Sequence, residues 1–203
     1  MLLLLLERGL VMGRSKEFEE SIVLQKAMEL FWEQGYEKTS LNDLVKYMGI
    51  HRRSLYDTFG DKHTLFLNAI DCFGEFIKTR LESEISHTET AKQAIQCIFD
   101  FMIDGNGDRP LGCLFINSAT EMAPSDKEIE EKVQEAFKQT ERLLADLIRK
   151  GQQTGEFGCE YDAEVLAENL HNTLIGIRVL ARTLTNKEKL RRISDFSLAI
   201  LNK

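Results

Sequence analysis

Ile22, Leu24, Ala27, Met28, Phe31 and Trp32 recur at three- and four-residue spacing, with charged residues opposite. That stripe predicts an amphipathic helix over about residues 17–34, closed by Gly35 as its C-terminal cap. A second, short helix, "LNDLVKYM", starts at Thr39 or Ser40. There a hydroxyl caps the first turn and Asp43 complements the helix dipole. Gly49 ends it, Ile50 is the expected buried turn residue, and a third short helix runs to Phe59. Gly60-Asp61 breaks the chain again. Asp61 caps a fourth helix that begins at Lys62 and is apolar along Leu65, Phe66, Ala69, Ile70, Phe73, Phe76, Ile77 and Leu81. Five more helices are expected at about 89–104, 112–123, 125–153, 162–184 and 187–201, separated by the turn signals "DGNGDRP", "APSD", "KGQQTGEFG" and "LTNKE". The expectation is an all-α fold of about nine helices.

Composition agrees. Only Pro110 and Pro124 interrupt the 203 residues, and 43% apolar with 29% charged residues is the balance of a folded globular chain. Cys72, Cys97, Cys113 and Cys159 form no CxxC pair, and His51, His63, His87 and His171 are equally dispersed. This spacing argues against a disulfide framework and a zinc site, and for a reducing cytoplasm. No metal or cofactor is expected. Gly-rich phosphate loops, a GxSxG elbow and catalytic carboxylate pairs are missing from the sequence, so an enzyme is not expected either. The "GNGDRP" loop reads as a turn.

The paired short helices joined by a Gly-containing turn form a helix-turn-helix unit at about residues 39–59. In such a unit the second helix enters the DNA major groove with its N-terminal residues nearest the bases. Those residues are His51, Arg52, Arg53 and Ser54. Arginine bonds guanine O6 and N7 in a bidentate manner, while Ser and His donate to bases or phosphates. Leu55 and Phe59 face inward. The Tyr56 hydroxyl, the Thr39 and Ser40 end of the second helix and Lys62 are candidate phosphate contacts. Residues 13–68 carry eight Lys/Arg against nine Asp/Glu, a net of −1 out of the chain's −7. Steering by net charge is therefore weak, and affinity has to come from local phosphate contacts and dimerisation.

The stretch "AMELFWEQGYEKTSLNDLVKYMGIHRRSLYDTFGDKHTLF" resembles the N-terminal DNA-binding domain of the TetR family of bacterial repressors. The marks are "F-x-x-x-G-Y-x-x-T-S" followed by "M-G-I-x-x-x-S-L-Y-x-x-F-G-D-K-x-x-L", over roughly residues 17 to 68. The resemblance implies a homodimer on a near-palindromic double-stranded operator, released when a small molecule enters the C-terminal domain. It also carries phosphate-contacting roles to Thr39, Tyr56 and Lys62. Two positions depart from the family: His51 stands where a small polar cap is usual, and Arg53 where Gly, Pro or Ala is frequent. The implied division is a tail at 1–12, a DNA-binding domain at 13–68 and a ligand-binding and dimerisation domain at 69–203.

In the C-terminal region the candidate pocket lining is Phe73, Phe76, Ile77, Phe101, Phe115, Met122, Leu147 and Leu174, with Asn117, His171 and Asn172 as orienting polar groups. Each of these also fits an ordinary core. Cys113 starts a helix in "PLGCLFINSATEMAP", a position that lowers thiol pKa. The segment resembles one in TetR-type regulators that answer oxidants or electrophiles, whereas an inert buried cysteine is the plainer alternative. The last two helices carry Val165, Leu166, Leu170, Leu174, Ile177, Leu190, Ile193, Phe196 and Ile200, expected as a four-helix dimer interface; intramolecular packing is the alternative. The five leucines of "MLLLLLERGLVM" are too few for a membrane span, and no membrane partner is expected. The expectation is either a disordered or loosely docked apolar tail or a translation start at Met12, since codons for Glu7-Arg8-Gly9 can resemble a bacterial ribosome-binding sequence. The main alternative to a DNA-binding regulator is a helical protein-interaction module that has lost DNA binding.

Overall fold

The computed structural model describes residues 20–105, 110, 112–183 and 186–202. The expectations about residues 1–12, and the "GNGDRP" turn except for Gly105 and Pro110, lie outside them. Among the described residues the fold is all-α. Helix α1 is seen over 20–34 and is followed by α2 (Leu41–Met48), α3 (Arg52–Phe59), α4 (Lys62–Ile85) and α5 (Ala91–Asp104). Then come α6 (Leu114–Glu121), α7 (Lys127–Thr154), α8 (Ala163–Arg182), α9 (Lys187–Leu198) and a closing 3₁₀ turn, Ala199–Asn202. The chain groups into two compact units that divide between Phe73 and Gly74, inside α4.

The first unit is built on local signals. Gly35 has φ 86° and its N–H bonds to the Phe31 carbonyl at 2.8 Å, stopping α1. Ser40 and Asp43 form a reciprocal capping box on α2, with both backbone N–H groups accepted by the opposite side chain. Gly49, at φ 75°, ends α2, and the Lys26 ammonium reaches the Met48 carbonyl at 3.5 Å, a cation at the negative end of a helix. Ile50 is only half-buried, not enclosed as expected. Phe31, Trp32, Leu44, Met48, Leu55, Phe59, Leu65, Phe66, Ile70 and Phe73 fill the core. Trp32 and Phe73 meet edge to face at 4.8 Å.

In the second unit α5, α7, α8 and α9 surround a continuous core that includes Ile95, Phe99, Leu144, Ile148, Leu170 and Ile177. Polar ties join its elements at the rim. The Glu156 carboxylate, in the turn after α7, accepts the Lys92 backbone N–H at 3.0 Å and so caps α5 from a distance. Asp104 at the end of α5 receives Lys187 at 2.9 Å and Arg191 at 3.1 Å from α9. Arg149 joins Asp146 on its own helix to Glu164 on α8. No helix of the described residues is long and apolar enough to cross a membrane.

Candidate nucleic-acid interface

Only Leu55 and Phe59 of α3 are buried. This i, i+4 pair fastens one stripe to the core, so Arg52, Arg53, Ser54, Tyr56, Asp57 and Thr58 all point to solvent. His51 takes the extended N-cap conformation, φ −78° and ψ 151°, yet its imidazole makes no capping bond. Among the described residues the first N–H groups of α3 therefore have no side-chain cap. Backbone donors at the positive end of a helix suit a phosphate oxygen.

The two arginines are held differently. The Arg52 guanidinium lies 5.9 Å from the Tyr56 ring centroid, at the outer reach of a cation–π contact. Arg53 Nε pairs with Asp57 Oδ2 at 3.6 Å, with both side chains largely exposed. Such a pair contributes little to stability and yields readily to a nucleic-acid acceptor. Ser40 is exposed at the start of α2, and Lys62 is half-buried at the start of α4. The Lys62 ammonium rests 4.1 Å from the centroid of the Tyr36 ring.

Thr39 corrects the sequence reading. It is fully buried, and its hydroxyl donates to the Gly35 carbonyl at 2.6 Å. The side chain locks the turn between α1 and α2, so it is not a phosphate donor in this structure. Sequence reasoning also missed Tyr36 and Asp57. Tyr36 stands in the quoted "G-Y-x-x-T-S" motif, and Asp57 is four residues after Arg53, which is the spacing of a helical ion pair.

The expected pocket residues divide between the two units. Phe73 belongs to the first unit's core, against Trp32. Leu174 and His171 are buried in the second. There His171 Nδ1 bonds the Glu141 carboxylate at 2.9 Å, and its ring meets Phe137 edge to face. Asn172 is exposed on α8. Met122 is buried, Leu147 packs against the core of the second unit, and Phe76 lies beside Arg80. Ile77, Phe115 and Asn117 are half-buried. Of the expected set only Phe101 lines the open cleft of about 700 Å³, beside Arg80, Glu84, Lys92, Cys97 and Asp100. Helical periodicity places residues on a face but does not decide which faces leave a gap.

Cys113 does stand at the start of α6, as expected, in the N-cap position with extended backbone and without a side-chain capping bond. Burial nevertheless pushes its thiol pKa up, outweighing the Ile116 and Phe115 amides and the Arg178 charge that pull it down. Arg178 is buried on α8 and, among the described residues, has no carboxylate partner. It donates to the Met102 carbonyl at 2.8 Å and to the Gly112 carbonyl. Among the described residues its Nε has no hydrogen-bond acceptor, and burial lowers its pKa.

Most of the residues expected to form the dimer face are corrected too, whereas the expected Val165 and Phe196 stay exposed. Leu166, Leu170, Ile177 and Leu190 are buried in the protomer's own core, and Ile193 packs against it. The apolar groups left outward on α8 and α9 are Val165, Val179 and Phe196, the last 85% exposed.

Residues 23–69 match the family model described as "Bacterial regulatory proteins, tetR family", and residues 91–196 match "Tetracyclin repressor-like, C-terminal domain". The chain belongs to the TetR family. It is similar to the uncharacterized HTH-type transcriptional regulator YezE of Bacillus subtilis (strain 168), at 34% identity over 94% of this chain and 100% of that protein. It is 31% identical to the HTH-type transcriptional repressor ComR of Escherichia coli (strain K12), over 93% of this chain and 91% of that one. Among solved structures it resembles a cysteine mutant of the TetR family regulator CifR complexed with 26-bp double-strand operator DNA. That match has a TM-score of 0.80 and 25% identity, over 89% of this chain and 95% of that chain. This TetR-family protein is a DNA-binding transcriptional regulator.

Proposed function

We propose that this TetR-family regulator is a homodimeric cytoplasmic repressor, without catalytic activity, which leaves a near-palindromic operator when a small molecule or electrophile acts on its C-terminal unit. The observation that carries the reading is the division of α3: two apolar residues hold the helix, and every polar residue faces outward. Arg52 and Arg53 read bases. Ser54 and His51 contact bases or phosphates, and Ser40, Tyr56 and Lys62 bind the backbone. The DNA-binding domain is taken as residues 13–68 and the sensing and dimerisation domain as 69–203. Pairing of α8 and α9 with their copies would cover Val165, Val179 and Phe196. The inducer would act through the polar cleft beside Phe101 or through Cys113.

A gel shift against the DNA upstream of the protein's own coding region, with wild type and Arg52→Ala, tests this. Wild type should bind a palindrome. Arg52→Ala should lose about 1–3 kcal/mol with relaxed base preference at one position of each half-site. Absence of specific binding by the wild type would favour a protein-interaction module instead.

A further inference from the structure

We propose that Tyr36 is a positioning residue for DNA binding: its ring holds the Lys62 ammonium where a backbone phosphate meets it. The proposal rests on the phosphate role given above to Lys62. Lys62 is the first residue of α4, where a cation faces the positive end of the helix dipole and gains nothing from it. Among the described residues it forms no ion pair, and the aromatic face 4.1 Å away is its partner. A lysine side chain is flexible, and free in solvent it would lose that freedom on meeting a phosphate. Resting on a ring removes part of the loss beforehand while leaving the ammonium's donors for an anion.

The ring itself is fixed. Tyr36 lies parallel to Phe31 at 6.1 Å and 20°, and against Phe66 at 4.9 Å. Phe31 and Phe66 meet edge to face at 4.9 Å. The Tyr36 backbone is pinned from both sides, because Gly35 N–H bonds Phe31 and Thr39 N–H bonds the Tyr36 carbonyl at 3.2 Å. The buried Thr39 hydroxyl on Gly35 closes the same turn. At the other end, Asp61 Oδ1 accepts the Thr64 N–H at 2.7 Å and sets the first turn of α4, and with it the root of Lys62. The enclosed Thr39 thereby gains a function: it supports the ring that carries the cation.

The test measures operator affinity and its salt dependence for wild type, Tyr36→Leu, Tyr36→Phe, Lys62→Met and the two double variants, with folding checked by circular dichroism. Lys62→Met should weaken binding uniformly across operator sequences and reduce the salt slope by about one per protomer. Tyr36→Leu should cost about three- to tenfold in affinity, Tyr36→Phe much less. In the Lys62→Met background Tyr36→Leu should cost nothing further. Equal losses in both backgrounds would overturn the positioning role while leaving the Lys62 phosphate contact standing. Unchanged binding by Lys62→Met would remove that contact and the proposal with it. Should Tyr36→Leu fail to fold, phenylalanines of increasing fluorination at position 36 keep the ring's shape while draining its negative face. Affinity should then fall stepwise with Lys62 present, and a flat series overturns the proposal.

Discussion

Arg178 on α8 is hydrogen-bonded to the carbonyl oxygen of Gly112, the residue before the α6 cap. The same guanidinium reaches the Met102 carbonyl near the end of α5, so one side chain ties three segments together. Truncation to alanine would leave two carbonyls without their donor and a cavity behind. Arg178→Ala is expected to lose about 2–4 kcal/mol of unfolding free energy, read from the denaturant midpoint. A loss below about 0.5 kcal/mol would mean that the cost of burying the cation cancels its bonds.

Gly151 of α7 lies flat against Phe157. A Cβ at this position would stand 2.1 Å from Phe157 Cδ2 and 3.0 Å from Cγ, so the whole ring would have to move. Gly151→Ala improves helix propensity, but the overpacking wins. Chemical denaturation should show about 1–3 kcal/mol of destabilisation, largely relieved in a Gly151→Ala/Phe157→Leu double variant.

Asp43 and Asp61 cap the helices that flank α3. Hydrogen bonds from Ser40 hold the Asp43 carboxyl below its ordinary value of 3.8, and the Thr64 N–H does the same for Asp61. Both groups favour the charged form when folded, so their stabilisation is full above pH 3.8 and is lost as pH falls through the lowered folded values. Acid titration followed by circular dichroism should show a smaller acid-induced loss of stability in Asp61→Asn than in wild type. An identical pH profile would show that the Asp61 cap carries no such linkage.

For Cys113 the burial-raised pKa predicts a protonated, slow thiol at neutral pH. Iodoacetamide at pH 7 should label the exposed Cys159 before Cys113, with Cys113 labelling accelerating as pH rises beyond the ordinary thiol range. Peptide mapping by mass spectrometry checks the order. Early labelling of Cys113 would point to a thiolate and strengthen the electrophile route to induction.

Phe196 is the most exposed large apolar side chain on α9, with Val179 and Val165 outward on α8. If these faces pair, Phe196→Glu places a charge in each half of the interface, and sedimentation should show at least a tenfold weaker dimer. An unchanged association constant would move the interface elsewhere.

Much of the first unit was legible in the sequence because its determinants are local. The Ser40–Asp43 box, the Gly49 turn and the Leu55–Phe59 stripe all act within five residues. The pocket and the dimer face were not legible in the same way. Helix α8 carries apolar residues on both sides, so periodicity alone could not say whether Leu170 or Val179 faces the core. Packing against α5, α7 and α9 chose Leu170. Cys113 shows the same competition: its place at a helix start is a local signal, but the chain folded around it overrides that signal through desolvation.

By itself the order of residues determined the nine α-helices seen among the described residues, their caps and the outward cations of α3, because hydrogen bonds between near neighbours and a period of 3.6 decide such things. Tertiary structure alone decided that Thr39 turns inward, that Tyr36 lies under Lys62, and which apolar stripe of α8 remains uncovered. Those outcomes depend on groups distant in sequence meeting under close packing, where the fit of one side chain is set by all its neighbours at once.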